Sequence, residues 1–226
     1  MDPPFLKMEI SMITLSHDFI TVKSQTSNLY GGAQQHCKQK HMQGYGCGTI
    51  GCANVIFYDA HKVSGNLTID EEEYLSKVDY LRKRFLFVIP KFGMNGIFMA
   101  LGLNAYYLTH GVNKRAWWGC LHKNVYKHIE RMLKDDEPVV LSIGPNFPNL
   151  IFGKKGVKLY TKNNEKFIYA VSTHAHYVTV TGIDDEWMQV SSWGTKYYVN
   201  RKEYTEYVKR SSTALFSSIL IIRPRR

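Results

Sequence analysis

Residues 43–60 read Gln-Gly-Tyr-Gly-Cys-Gly-Thr-Ile-Gly-Cys-Ala-Asn-Val-Ile-Phe-Tyr-Asp-Ala. A glycine-rich turn, Gln43 to Gly48, runs into an apolar segment from Ile50 to Ala60. The small residues Gly51, Cys52 and Ala53 let that segment pack closely against its neighbours, and it reads as a buried helix. Cys47 then stands between two glycines just ahead of the helix. A thiol there meets unpaired backbone N–H groups and the positive end of the helix dipole. Both stabilise a thiolate, which is the nucleophilic form of cysteine. Cys52 falls inside the same helix, away from those N–H groups, so Cys47 is the better candidate nucleophile.

Upstream of this stretch the chain is polar and irregular, apart from a strand expected at Phe19 to Lys23. Downstream, Asp70 followed by Glu73 has the form of a capping box, and Tyr74, Leu75, Val78 and Leu81 fall on one helical face. Further helices are expected over Gly96 to Leu108 and over Ala116 to Leu133, the latter carrying Cys120 as a core residue. After Pro138 the pattern changes to strands. These are Val139 to Ile143, Val157 to Tyr160, Tyr177 to Thr181, a hairpin around Gly194-Thr195, and Leu215 to Ile222, with a short helix over Arg201 to Val208. Helices first and strands second predict an α+β fold, a helical first part packed on an antiparallel sheet. No repeat or long linker divides residues 1–226, which read as one domain.

The formal net charge is +10, but Lys and Arg are spread along the whole chain. A solvated basic surface is therefore expected, and nucleic acid is not favoured as a partner. No segment has the length of a membrane span, and residues 1–20 lack the unbroken apolar stretch of a signal peptide. These readings place the protein in the cytoplasm, where its four cysteines stay reduced. No metal or cofactor is expected. There is no Cys-x-x-Cys pair, and the spacing of His36, Cys37, His41, Cys47 and Cys52 fits no structural zinc pattern. Neither a Walker loop nor a dinucleotide glycine fingerprint is present.

His176 opens the strand Tyr-Val-Thr-Val-Thr-Gly, where a strand end could present an imidazole to a facing helix N-terminus. His174, two residues earlier, competes for that role. Farther on comes Ser191-Ser192-Trp193-Gly194. With these blocks in order, the chain resembles the papain-like cysteine peptidases, nearest the bacterial branch related to the bacteriocin-processing, double-glycine-leader peptidases. Cys47-Gly48 and its helix, with Asn54 and Tyr58, resemble that branch's Cys-Gly-Pro-Thr start. His176 and its strand resemble the His block, and Ser191-Ser192-Trp193-Gly194 resembles the Asn-Ser-Trp-Gly block. Thr49 stands where the branch usually has Pro, and Ser191 where it usually has Asn or Asp.

The resemblance implies a papain-like fold, a peptide or protein substrate, and acyl transfer to Cys47 with His176 as general base. It makes Ser191 the third member, accepting the far imidazole N–H, with Trp193 packed nearby. Gln43 becomes the oxyanion-hole donor beside the Cys47 N–H, although the family's Gln lies somewhat farther upstream of its Cys. Asp184 and Asp185 read as caps of the turn after the His176 strand. Two other classes remain open: a cysteine acyltransferase, and a non-catalytic binding module on a decayed peptidase fold.

Overall fold

A computed structural model describes residues 11–119, 124–149 and 156–225. Its centre is α2 (Cys47–His61), preceded by the short α1 (Lys40–Tyr45). Helix α2 is buried almost all round, as its uniformly apolar composition requires. One side lies on the sheet and the others meet α3 (Glu71–Arg84) and α4 (Gly96–Thr109). Glycine permits the close approach to the sheet: a Cβ at Gly51 would lie 3.0 Å from Val140. Helix α3 begins as its sequence predicts, with the Asp70 carboxylate accepting from the Glu72 and Glu73 N–H groups.

Three short strands, β1 (Ile13–Thr14), β2 (Thr21–Lys23) and β3 (Asn28–Tyr30), lie ahead of α1, and β4 (Thr68–Asp70) leads into α3. Strand β5 (Lys114–Trp118) follows α4, and α5 (Val125–Lys134) precedes β6 (Val139–Ile143). Strands β7 (Val157–Asn163), β8 (Lys166–Thr173), β9 (His176–Ile183), β10 (Trp187–Ser192) and β11 (Thr195–Asn200) come next. The chain then forms α6 (Arg201–Ser211) and β12 (Leu220–Pro224).

The main sheet runs β1-β9-β10-β11-β7-β8, with β6 also paired to β9, and every pairing in it is antiparallel. Strand β9 is its hub, holding β10 on one edge and both β6 and β1 on the other. The predicted α+β architecture is therefore present, with the helices first and the antiparallel sheet second. Buried side chains from both parts form one contiguous core.

The expected helix over Ala116 to Leu133 is corrected: Lys114–Trp118 is a strand, and the helix spans Val125–Lys134. The reason is tertiary. Strand β5 pairs with β12 about a hundred residues later, and the Trp118 indole N–H donates to the Leu215 carbonyl at 2.8 Å. Cys120 lies outside the described residues.

The far end of α2 is pinned by charge. Lys114 donates to Asp59 at 2.7 Å and to Glu137, while Lys62 lies 3.3 Å from Asp59 and 3.5 Å from Glu137. Burial, with the Asp59 charge beside it, holds the Glu137 carboxyl above the usual range.

Candidate active site

Cys47 is the first residue of α2, after Gly46, and no side chain caps this helix start. Its sulfur is half-buried, near the backbone N–H groups of Tyr177, Gly48 and Cys47 itself. Burial pushes the thiol up and those N–H groups pull it down, with burial the stronger. The helix end does favour the thiolate, but not by enough to form it in the unliganded site. Cys52 is wholly buried deeper in the helix, its thiol pushed up to about 12, and Cys37 is likewise buried with its thiol near 11. Neither has the N–H environment of Cys47.

His176 opens β9 and is only 7% exposed, whereas His174 is exposed. Burial lowers the His176 imidazole to about 4, so it is neutral at physiological pH. Its ring stacks on Trp193, with centroids 4.4 Å apart. Its Nε2 is hydrogen-bonded to Ser192 Oγ at 2.8 Å. Cys47 and His176 line one narrow recess with Gln34, Asn54, Ser192 and Trp193. The cavity is about 10 Å³, room for a single water. Among the described residues no hydrogen bond joins the Cys47 sulfur to the imidazole.

Two expected positions move by geometry. Ser191 does not meet His176: its hydroxyl donates to the Tyr30 carbonyl at 2.6 Å. Neighbouring strand residues face opposite ways, so only one of the two serines can reach the imidazole, and it is Ser192. Unlike Ser191, which still lines the recess, Gln43 does not enter it. It is exposed on α1, and its amide donates to the Cys37 carbonyl at 2.8 Å. The glutamine in the recess is Gln34, buried, with Nε2 held on the Gln43 carbonyl at 2.8 Å. Gln34 lies farther upstream of Cys47 than Gln43 does, and that spacing is the one signal of it in the sequence.

Asn54 explains how the Gln34 segment is held over α2. Its Oδ1 accepts from the Gly32 N–H (3.0 Å) and the Tyr74 hydroxyl (2.7 Å), and its Nδ2 donates to Thr179 (3.1 Å). Helix, upstream loop and sheet thus meet at one amide that bonds through both its oxygen and its nitrogen. Asp184 caps the turn after β9, accepting from the Glu186 and Trp187 N–H groups, and stays out of the recess.

Backbone strain sits beside the imidazole and at its stacking partner. Ala175, just before His176, has φ 49°, and the β10–β11 turn places Trp193 and Gly194 at φ 50° and 72°. Two consecutive left-handed residues make the hairpin turn that matches strand twist. Glycine adopts that conformation freely, but tryptophan does so at a cost of about 1–2 kcal/mol.

A neutral imidazole, a thiol lining the same recess and N–H donors near that thiol are groups of the kind that proton transfer and nucleophilic attack use. Among the described residues no group of three or more His, Cys, Asp or Glu side chains is arranged to hold a metal. No protein-family model and no curated protein matches the sequence. The fold is similar to the crystal structure of a candidate C39-like peptidase from Bacillus anthracis. The two chains share 15% identity with a TM-score of 0.49, over 85% of this chain and 94% of that one.

Proposed function

We propose that the protein is a cysteine hydrolase of papain-like type that cleaves peptide or amide bonds through a thioester on Cys47. The observation that carries the reading is the ordered imidazole: His176 held by Ser192 and covered by Trp193, in the recess that Cys47 enters from a helix N-terminus. With Ser192 accepting the Nε2 proton, Nδ1 is the basic nitrogen. In the reaction His176 takes the Cys47 proton as sulfur attacks the carbonyl carbon, then gives it to the departing amine. Water, activated by the same imidazole, hydrolyses the thioester. The Cys47 N–H and the Gln34 amide are the oxyanion donors in this scheme.

A neutral resting pair fits this order of events, because the thiolate forms only as substrate displaces water and the catalytic bond tightens. By the resemblance to the double-glycine-leader branch, a peptide with a glycine pair ahead of the cleavage point is the first substrate to test. Ser191, bonded to the Tyr30 carbonyl, is a structural residue in this scheme, and Gln43 acts only through Gln34.

A non-catalytic module is the second reading, favoured by the raised Cys47 thiol and the neutral hydroxyl on His176. Labelling with a peptide electrophile, followed by peptide mass mapping, separates the two. Hydrolase chemistry requires modification at Cys47 that slows at least tenfold in His176→Ala. Equal labelling rates in the two proteins would leave His176 without a catalytic role.

A further inference from the structure

Helix α4 departs from the pattern of a surface helix. Its inward side packs against the core through Met99, Leu103 and Tyr107. Its outward stripe should be polar, yet Ile97, Phe98, Leu101, Ala105 and Leu108 lie there exposed. Phe98 is 60% exposed and Leu101 59%. The loop leading into the helix continues the surface, with Phe87 76% and Phe92 85% exposed. Loop and helix are held together, since a Cβ at Gly102 would lie 2.1 Å from the Phe85 carbonyl. Isolated exposed apolar residues are ordinary, but a contiguous run of phenylalanine and leucine is not.

Charge identifies what this surface meets. The fifty residues from Tyr80 to Ile129 contain eight Lys or Arg and no Asp or Glu. Of these, Arg82, Lys83, Arg84 and Lys91 belong to the end of α3 and the loop before α4, while Lys114 is taken up by Asp59 and Glu137. Arg84 and Lys91, exposed beside the phenylalanines, form no ion pair among the described residues. Lys83 is also exposed, sharing Asp79 with Arg82.

We propose that the outward face of α4 and the loop before it form a docking surface for an anionic lipid bilayer. Phenylalanine and leucine enter the acyl boundary while lysine and arginine remain at the phosphate level. A second copy of this chain would bring two positive rims together, and a nucleic acid would find no hydrogen-bonding groups along the stripe. Docking of this kind is superficial: no helix among the described residues is long and apolar enough to cross a membrane. The opposite, inward side meets the site elements: the Tyr177 hydroxyl donates to the Met94 carbonyl at 2.9 Å, and a Cβ at Gly48 would meet Met99 at 2.8 Å.

Vesicle sedimentation with the intact chain tests this without reference to catalysis. Vesicles with about one-third phosphatidylglycerol should bind at least about tenfold more tightly than phosphatidylcholine alone, and high salt should remove the difference. The double variant Phe98→Ser/Leu101→Ser should weaken binding to the anionic vesicles by about fiftyfold. Its thermal midpoint should be unchanged, because both side chains are exposed. Arg84→Glu/Lys91→Glu should abolish the anionic preference. The proposal fails if the wild-type chain stays in the supernatant, or if the apolar pair can be replaced without loss. It fails equally if the chain dimerises through this face and the double variant is monomeric, since a second copy would then be the occupant.

Discussion

Trp193 lies face to face with His176, the ring planes 19° from parallel and the centroids 4.4 Å apart. The indole covers one face of the imidazole while Ser192 bonds its edge at Nε2, and so shares in the burial that keeps the ring neutral. Trp193→Ala should let water reach the ring and raise the His176 pKa from about 4 by at least about one unit. Histidine proton resonances followed through a pH titration read this directly, with Ser192→Ala as the comparison.

The two serines should separate in kind. Ser192→Ala removes the partner of the imidazole and should slow Cys47 alkylation by a peptide electrophile by roughly tenfold or more. Ser191→Ala loses a hydroxyl bond to the Tyr30 carbonyl and should cost about 1 kcal/mol of stability in urea. Its alkylation rate should stay close to wild type. The opposite pattern would return the third position to Ser191.

Acid should weaken the fold through His176. Its folded pKa of about 4 lies below the ordinary 6.5, so the unfolded chain binds the proton first. Stability from this group is complete above pH 6.5 and is lost as pH falls toward 4, by roughly 3 kcal/mol in total. Urea midpoints between pH 7 and pH 4 should show that loss, and His176→Gln should flatten the slope over the same interval.

At the other end of α2, Lys114→Met should destabilise the protein by roughly 3 kcal/mol, because Asp59 and Glu137 keep only Lys62 between them. Adding Asp59→Asn and Glu137→Gln to the same chain should recover much of the loss. Thermal unfolding of the single and triple variants measures both effects.

The elements legible in the sequence were those whose signal is local. The glycine turn before Cys47, the Asp70 cap and the alternation after His176 each depend on a few adjacent residues. Elements set by distant pairing were not legible. Lys114 to Trp118 is extended because β12 waits beside it, and no pattern within the segment announces that. Strand β8 carries no readable signal, because its residues are largely exposed and show no clean alternation. In the site, family spacing pointed to Ser191, but which serine faces the imidazole depends on strand parity after the pairing break near Gln189. Gln34 was hidden for a similar reason, since it enters the recess only once Asn54 has drawn the Gly32 backbone onto α2.

The hairpin turn at Trp193-Gly194 holds a bulky residue where asparagine would sit at ease, because Asn-Gly is the favoured pair for two left-handed positions. Trp193→Asn would therefore tighten the hairpin while uncovering the imidazole. A library selected for thermal resistance and one selected for turnover should part company at this codon, the first drifting toward asparagine or glycine and the second retaining tryptophan.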